Sequence, residues 1–242
     1  MYQPNEPLVL ASIAPSDTVL DIGGWARPFN RANWVMDAEP YETRGRYGTP
    51  QGGERELFGP DRWIRRDICE HTPYPFGDKE IDFVVCSHTL EDVRDPLWVC
   101  AEMIRVGKRG YIEVPSREAE SSRGVEPGQV GWSHHRWLID IGEGGITFLM
   151  KYHTIHSDWR LSLPARHLRS LPEARHVQWL FWEGSFAFAE RTIHGPETIA
   201  AELEGYVRRV RPYPGWLLTL DAGARATRTL GRRALGWIRR HA

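Results

Sequence analysis

Two stretches of this 242-residue chain carry residue types that could do chemistry on a bound ligand. In the first, Thr18-Val-Leu-Asp21-Ile runs into Gly23-Gly24 and is followed by Trp34-Val-Met-Asp37. Glycine lets the backbone come close to a ligand, and an acid closing the second apolar run can accept from both hydroxyls of a ribose, so the segment suits a nucleoside. A strand followed by two glycines is also an ordinary tight turn, and on this segment alone both readings stand. In the second stretch His134, His135, His153 and His156 fall close together, with Asp158 beside them. Imidazole changes charge near neutral pH, which makes these rings candidates for a general base or for hydrogen bonds to a substrate. Imidazole is also a common metal ligand. Adjacent strand residues, however, point to opposite faces and would keep His134 and His135 apart, so the expectation is no metal. Trp132, Trp137 and Trp159 lie in the same region and offer flat faces for a sugar or aromatic ligand, or for simple packing.

Holding such groups in place takes a sheet. Apolar runs predict strands near 18–22, 33–37, 62–66, 81–86 and 109–114, the last three continuous enough to be buried on both faces of a parallel sheet. Asp95-Pro96 reads as an N-cap with proline at the first helical position, and Leu97, Cys100, Ala101 and Ile104 follow at helical spacing. Only 16 positions separate Asp21 from Asp37. A helix of about eleven residues with its turns does not fit there, so the first crossover helix is short or missing. Residues 39–61, rich in glycine and proline, predict a long loop. Further on, apolar runs about Gly142-Glu-Gly-Gly145 predict a β-hairpin over 137–150. Val177–Glu183 and Ser185–Ile193, flanking Gly184, predict a second antiparallel pair that completes the main sheet.

Taken in order, the glycine turn, Arg62-Trp-Ile-Arg-Arg-Asp67-Ile68, Ile81-Asp-Phe-Val-Val-Cys-Ser87-His88-Thr-Leu-Glu91-Asp92-Val-Arg-Asp95-Pro96 and Arg109-Gly-Tyr-Ile-Glu-Val-Pro115-Ser resemble the class I S-adenosylmethionine-dependent methyltransferases of the type 11 kind. The resemblance covers roughly residues 17–116, under half of the chain. It implies an α/β fold: a Rossmann-like, doubly wound, mainly parallel sheet with antiparallel C-terminal strands, here with an inserted β-hairpin. It also implies S-adenosyl-L-methionine as cofactor. Carried over by position, Asp21, Gly23 and Gly24 would hold the methionine end, Asp37 the ribose, and Asp67 with Ile68 the adenine. Ser87 and His88 would face the sulfonium and the methyl acceptor, placing His88 with His134, His135 and His153 among the candidate catalytic residues. Asp67 as a helix N-cap and His88 as a turn residue remain alternatives. Three departures stand out: Trp25-Ala26 replaces further glycine in the turn, the first crossover is too short for a full helix, and Glu91-Asp92 replaces the usual Glu-His.

The rest of the chain narrows the reading. Residues 1–204 are expected to form the methyltransferase-like domain, with an insertion over about 116–176 shaping the acceptor pocket, and 205–242 a basic helical tail. The tail holds nine arginines against one acid, Asp221, in a chain of net formal charge −1, so the body is acidic and carries no general nucleic-acid footprint. Such a tail docks on an anionic membrane surface, on an acidic partner or on its own body. No apolar run nears membrane-spanning length, no signal segment opens the chain, and three scattered cysteines build no disulfide frame, so a cytoplasmic protein is expected. Ser87-His88-Thr89-Leu90 stands where base-directed amino methyltransferases carry an Asn/Asp-Pro-Pro-aromatic element. O-methylation of a small molecule or glycan precursor in biosynthesis is therefore the leading expectation, with no DNA partner. An inactive binding or scaffold protein of the same fold, and an RNA-directed methyltransferase using the tail, are the alternatives.

Overall fold

The computed structural model of the protein describes residues 1–47 and 50–210, so the tail beyond Val210 lies outside the described residues. These residues fall into two compact units.

The first unit comprises Met1–Glu120, His134–Lys151 and Pro172–Thr192. Its strands are β1 (Val19–Ile22), β2 (Trp34–Asp37), β3 (Trp63–Arg65), β4 (Ile81–Ser87), β5 (Gly107–Pro115), β6 (Trp137–Gly142), β7 (Gly145–Met150), β8 (Val177–Glu183) and β9 (Phe188–Glu190). Its helices are α1 (Glu6–Ala11), α2 (Pro96–Val106) and the single turn α3 (Arg117–Glu120). Six strands form the main sheet in the order β3-β2-β1-β4-β5-β8. The first five run parallel, and β8 closes the β5 edge antiparallel. Strand order reverses between β1 and β4, the switch point at which open α/β sheets bind ligands.

Period-two alternation sorts the sheet residues between two cores. Val19, Val35, Phe83, Val85 and Tyr111 face one way and pack with Val9 of α1. Leu20, Ile22, Met36, Val84, Cys86 and Ile112 face the other way, against Val99, Cys100, Met103 and Val106 of α2. Both faces are covered, which is why β1 and β4 tolerate so few polar residues. Each fully buried aliphatic or aromatic side chain of this kind contributes roughly 1.5–3 kcal/mol relative to exposure. The capping expected for α2 is present, with the Asp95 carboxylate accepting from the Trp98 amide at 3.0 Å and Pro96 in the first turn. Its inward face differs from the expected one. Val99, Cys100, Met103 and Val106 are buried while Ala101 is exposed, because this phase buries the larger Val and Met side chains.

No helix joins β1 to β2. Residues 50–58 take its place over the crossover: the Asn30 amide donates to the Gln51 carbonyl at 2.7 Å, the Leu57 amide to the Asn30 carbonyl at 2.8 Å, and Asn30 Nδ2 to the Gly53 carbonyl at 2.7 Å. The fully buried Phe29 ring lies against Gly52, where a Cβ would meet it at 2.4 Å.

The hairpin expected over 137–150 is formed by β6 and β7, antiparallel from Trp137–Met150 to Gly142–Gly145. The expected second pair splits. β8 joins the main sheet, whereas β9 pairs in parallel with β7 in a separate three-stranded sheet. The reason lies in the segment between them: Gly184 takes a φ of 70°, and Phe186 and Phe188 turn into the core shared with Trp182 and the hairpin, which carries the chain away from β8.

The second unit comprises Ser121–Ser133, Tyr152–Leu171 and the chain from Ile193, described to Val210. It contains 3₁₀ turns at His153–His156 and Trp159–Leu161, and the helices α4 (Ala165–Ser170) and α5 (Pro196–Val210). Leu203 and Val207, one turn apart, form the buried stripe of α5. No helix among the described residues is long and apolar enough to cross a membrane.

The tightest backbone approach in the main sheet is at Gly110 of β5, where a Cβ would sit 2.3 Å from the Val84 carbonyl oxygen and 2.9 Å from the Trp182 ring. Gly110→Ala is expected to lower the unfolding free energy by about 1–3 kcal/mol, the range for overpacking a core. Urea melts that leave the midpoint unchanged would disprove that close approach.

Candidate active site

The carboxyl ends of β1, β2 and β3 each deliver an aspartate. Asp21, nearly fully buried on β1, accepts from the Phe29 amide at 2.8 Å. Burial pushes its carboxyl up to about 7, against the opposing pull of that hydrogen bond. Gly24 must lack a Cβ because one would fall 2.2 Å from Asp21 Oδ2, and Gly23, at φ 75°, has Thr89 where its Cβ would be. The two glycines thus let the turn fold onto Asp21 and Thr89.

Asp37 ends β2. Its Oδ2 accepts from the Trp25 amide at 3.0 Å and its Oδ1 from the Glu39 amide at 2.9 Å. Burial raises its pKa, and these amides oppose the rise. A carboxylate has about four acceptor positions, so two bonds leave capacity for ribose hydroxyls. Trp25 is anchored by Nε1 donating to Thr43 Oγ1 at 2.9 Å and by an edge contact with Tyr47.

Asp67, two residues beyond β3, accepts from the Cys69 amide at 2.9 Å and pairs with Arg94. Burial of Asp67 favours the neutral acid, but the Arg94 and Cys69 bonds outweigh it and lower the pKa. Ile68 next to it is buried in the α2-side core. Arg94 also lines a cavity of about 530 Å³ bounded by Cys69, His71, Asp95, Leu97 and Trp137. That volume lies within the usual range for small-molecule sites. Trp137 serves packing as well: its Nε1 donates to the Val93 carbonyl at 2.8 Å and its ring meets Phe148 edge-on.

Beyond β4 the chain turns at His88, which adopts a φ of 55°, unusual for a residue with a side chain. Its imidazole bridges two acids, with Nε2 3.1 Å from Glu113 and Nδ1 3.4 Å from Glu91. Burial works against charging the ring, but the bonds to Glu113 and Glu91 raise its pKa to about 9. His88 is therefore protonated at neutral pH and is a hydrogen-bond donor to both acids. Ser87 Oγ lies 3.5 Å from Glu113.

Glu113 itself is fully buried. Besides His88 and Ser87 it accepts from Tyr111 Oη, from Asn5 Nδ2 at 3.2 Å and from the Tyr2 amide at 2.7 Å. Burial alone would raise its pKa; the His88 bond and the other donors bring it down to about 2. Sequence reasoning passed over Glu113, although an acid inside the apolar run Tyr-Ile-Glu-Val was a visible signal.

The histidines divide between the units. His134 and His135 stand just before β6, outside any strand, and strand alternation therefore does not separate them; their rings lie 4.5 Å apart, both near Asp92. His135 Nδ1 is 2.8 Å from Glu120 Oε2, and Lys151 pairs with the other Glu120 oxygen. Glu120 was likewise not singled out from the sequence, and Glu91-Asp92 was noted there only as a departure from the usual Glu-His. His153 and His156 belong to the second unit, where His156 Nδ1 accepts from the Val130 amide at 3.2 Å.

A family model described as a methyltransferase domain matches residues 51–112. No curated protein matches the chain. Among solved structures, a Haloferax volcanii protein complexed with the Trm112 methyltransferase activator is similar at 19% identity over 48% of this chain and 53% of that one, with a TM-score of 0.34. A methyltransferase of Aquifex aeolicus is similar at 17% identity over 48% of this chain and 66% of that one, also at 0.34. A methyltransferase of Thermotoga maritima is similar at 19% identity, over 50% and 53%, again at 0.34. This chain thus spans less than two thirds of each of these three proteins.

The linked titrations of His88 and Glu113 give the fold a pH signature. His88, raised above its unfolded value near 6.5, contributes stability that is complete below that pH and lost as pH rises through about 9. Glu113, lowered to about 2, contributes stability present above its unfolded value and lost as pH falls through about 2. Replacing His88 by Asn, which tolerates positive φ, is expected to flatten the decline between pH 6.5 and 9 in thermal melts. A wild-type melt that is level across that interval would refute the arrangement.

Proposed function

We propose that this chain, a class I methyltransferase-type sheet with a methyltransferase-domain match over residues 51–112, transfers the methyl group of S-adenosylmethionine to a small molecule or glycan precursor, at oxygen. The observation that carries this reading is the row of aspartates Asp21, Asp37 and Asp67 at the carboxyl ends of β1, β2 and β3, beside the point where strand order reverses. The residues fit the cofactor. Asp37 retains acceptor capacity for the ribose hydroxyls, Gly23 and Gly24 bring backbone to the methionine end, and Asp67 with Ile68 sits by the Arg94 cavity for the adenine.

The bound cofactor would supply a methyl group on a positively charged sulfonium. The chain's part is to orient, to exclude water and to take a proton. Glu91 and Glu113 make the end of β4 acid-rich, which suits a neighbouring cation. Protonated His88, held between them, donates and positions. His135, with Nδ1 tied to Glu120, keeps Nε2 on the Asp92 side, and this oriented imidazole is the proton acceptor for the substrate hydroxyl. In-line displacement needs little else, since positioning alone supplies several kcal/mol of such a barrier.

A second reading, a binding or scaffold protein on the same fold, is favoured by one observation: the Trp25 amide already occupies Asp37, and no helix follows the glycine turn. Calorimetric titration with S-adenosylhomocysteine separates the two. Saturable binding is expected, and Asp37→Ala should weaken it by about 1.5–3 kcal/mol, as for loss of a charge-assisted hydrogen bond. No heat from the wild-type chain would favour the scaffold. His135→Asn should leave that affinity intact and, once an acceptor is in hand, cut turnover about a hundredfold or more. Unaltered turnover would remove His135 from the reaction.

A further inference from the structure

We propose that Asp92, His134 and His135 form a binding site for a divalent transition-metal ion of borderline softness, such as zinc. A carboxylate oxygen and one nitrogen from each ring all lie within 4.8 Å of one another. His135 Nε2 stands 3.8 Å from Asp92 Oδ1. In a tetrahedral site with bonds near 2.0–2.1 Å, donor atoms lie roughly 3.3 Å apart, so side-chain rotation alone closes the set. Two imidazoles and one carboxylate are a ligand combination typical of zinc, iron(II) and their neighbours, and three protein ligands leave a position for water.

Three further features mark this cluster as built. Asp92 Oδ1 is buried and accepts no hydrogen bond, an arrangement that costs free energy unless a cation or donor completes it. His135 is oriented from behind: its Nδ1 meets Glu120, which Lys151 fixes in turn, and all three side chains are nearly inaccessible. A carboxylate behind a ligating histidine sets its tautomer and raises its basicity. The two segments are also held in register, because the Glu91 carbonyl accepts from the Arg136 amide at 2.7 Å and the Trp137 amide at 3.3 Å, while the Val93 carbonyl accepts from the Trp137 ring. Asp92 is thereby bracketed opposite His134 and His135 by backbone bonds. This replaces the expectation of no metal, which rested on strand alternation that residues 134 and 135 do not follow.

The inference rests on this geometry and is independent of methyl transfer. With an ion on Nε2, a hydroxyl bound to that ion would take over the proton-accepting work assigned to His135, since a bound divalent ion lowers the pKa of its water to about 7.

The test is titration of the full-length protein, first stripped with a chelator, with Zn²⁺ in a calorimeter and with Co²⁺ by visible absorption. One equivalent is expected to bind saturably, with a cobalt ligand-field band. His134→Ala, on an exposed residue and so compatible with folding, and Asp92→Asn should each weaken binding about tenfold or more and abolish the band. Glu120→Gln should weaken it too. His194→Ala, on an exposed histidine of the other unit, should change nothing. Absence of saturable binding, or His134→Ala and Asp92→Asn proteins that bind like wild type while their melting temperatures are unchanged, would overturn the site. Affinity for S-adenosylhomocysteine, measured in parallel, reports separately on the methyltransferase reading.

Discussion

A carboxylate buried without compensation is among the least favourable things a fold can contain, and the first unit buries a carboxylate, Glu113, near the carboxyl end of its β5 strand. Everything around that group is arranged to satisfy it. Tyr111 and Asn5 donate to one oxygen, while the Tyr2 amide, Ser87 and His88 converge on the other. The N-terminal residues are therefore drawn onto the ends of β4 and β5 by polar bonds as well as by apolar burial. His88 in turn needs a positive φ to reach both Glu113 and Glu91. The shape of the turn after β4 is a consequence of neutralising a single charge.

A second constraint acts at the other end of the switch point. Asp21 and Asp37 are both tied to the chain between β1 and β2, one through the Phe29 amide and the other through the Trp25 amide. That chain is itself pinned by residues 51–57 rather than by a helix. The loop over residues 39–61 and the candidate ribose site are thus one mechanical assembly: Trp25 holds Thr43, Phe29 presses on Gly52, and Asp37 binds Glu39.

Much of this was legible in the sequence, for identifiable reasons. Apolar runs buried on both faces, such as Phe83-Val-Val-Cys86, leave little choice but a central parallel strand, and 16 positions between Asp21 and Asp37 leave no room for a helix. Asp95-Pro96 announced the start of α2 because capping is local chemistry. What escaped was non-local. The inward face of α2 depends on which residues the sheet can accommodate, and the departure of β9 from β8 depends on a core formed with the hairpin. For the candidate site, the aspartates could be found from their places at strand ends. The acids Glu91, Glu113 and Glu120, which decide what each histidine can do, belong to pairings 15 to 25 residues apart in sequence, or across a single turn that composition does not distinguish from solvent-facing surface.

The missing helix after the glycine turn bears on which cofactors this sheet could accept. In dinucleotide-binding relatives of such sheets, the first helix points its free amides and the positive end of its dipole at a pyrophosphate. Here the amides of Trp25 and Phe29 are already committed to Asp37 and Asp21, and no helical dipole stands behind them. A ligand with a doubly charged diphosphate would encounter two aspartates and no anion seat. One that presents a ribose, a neutral base and a cationic centre would meet no such penalty. Without a helix at this turn, a diphosphate is disfavoured there on charge alone.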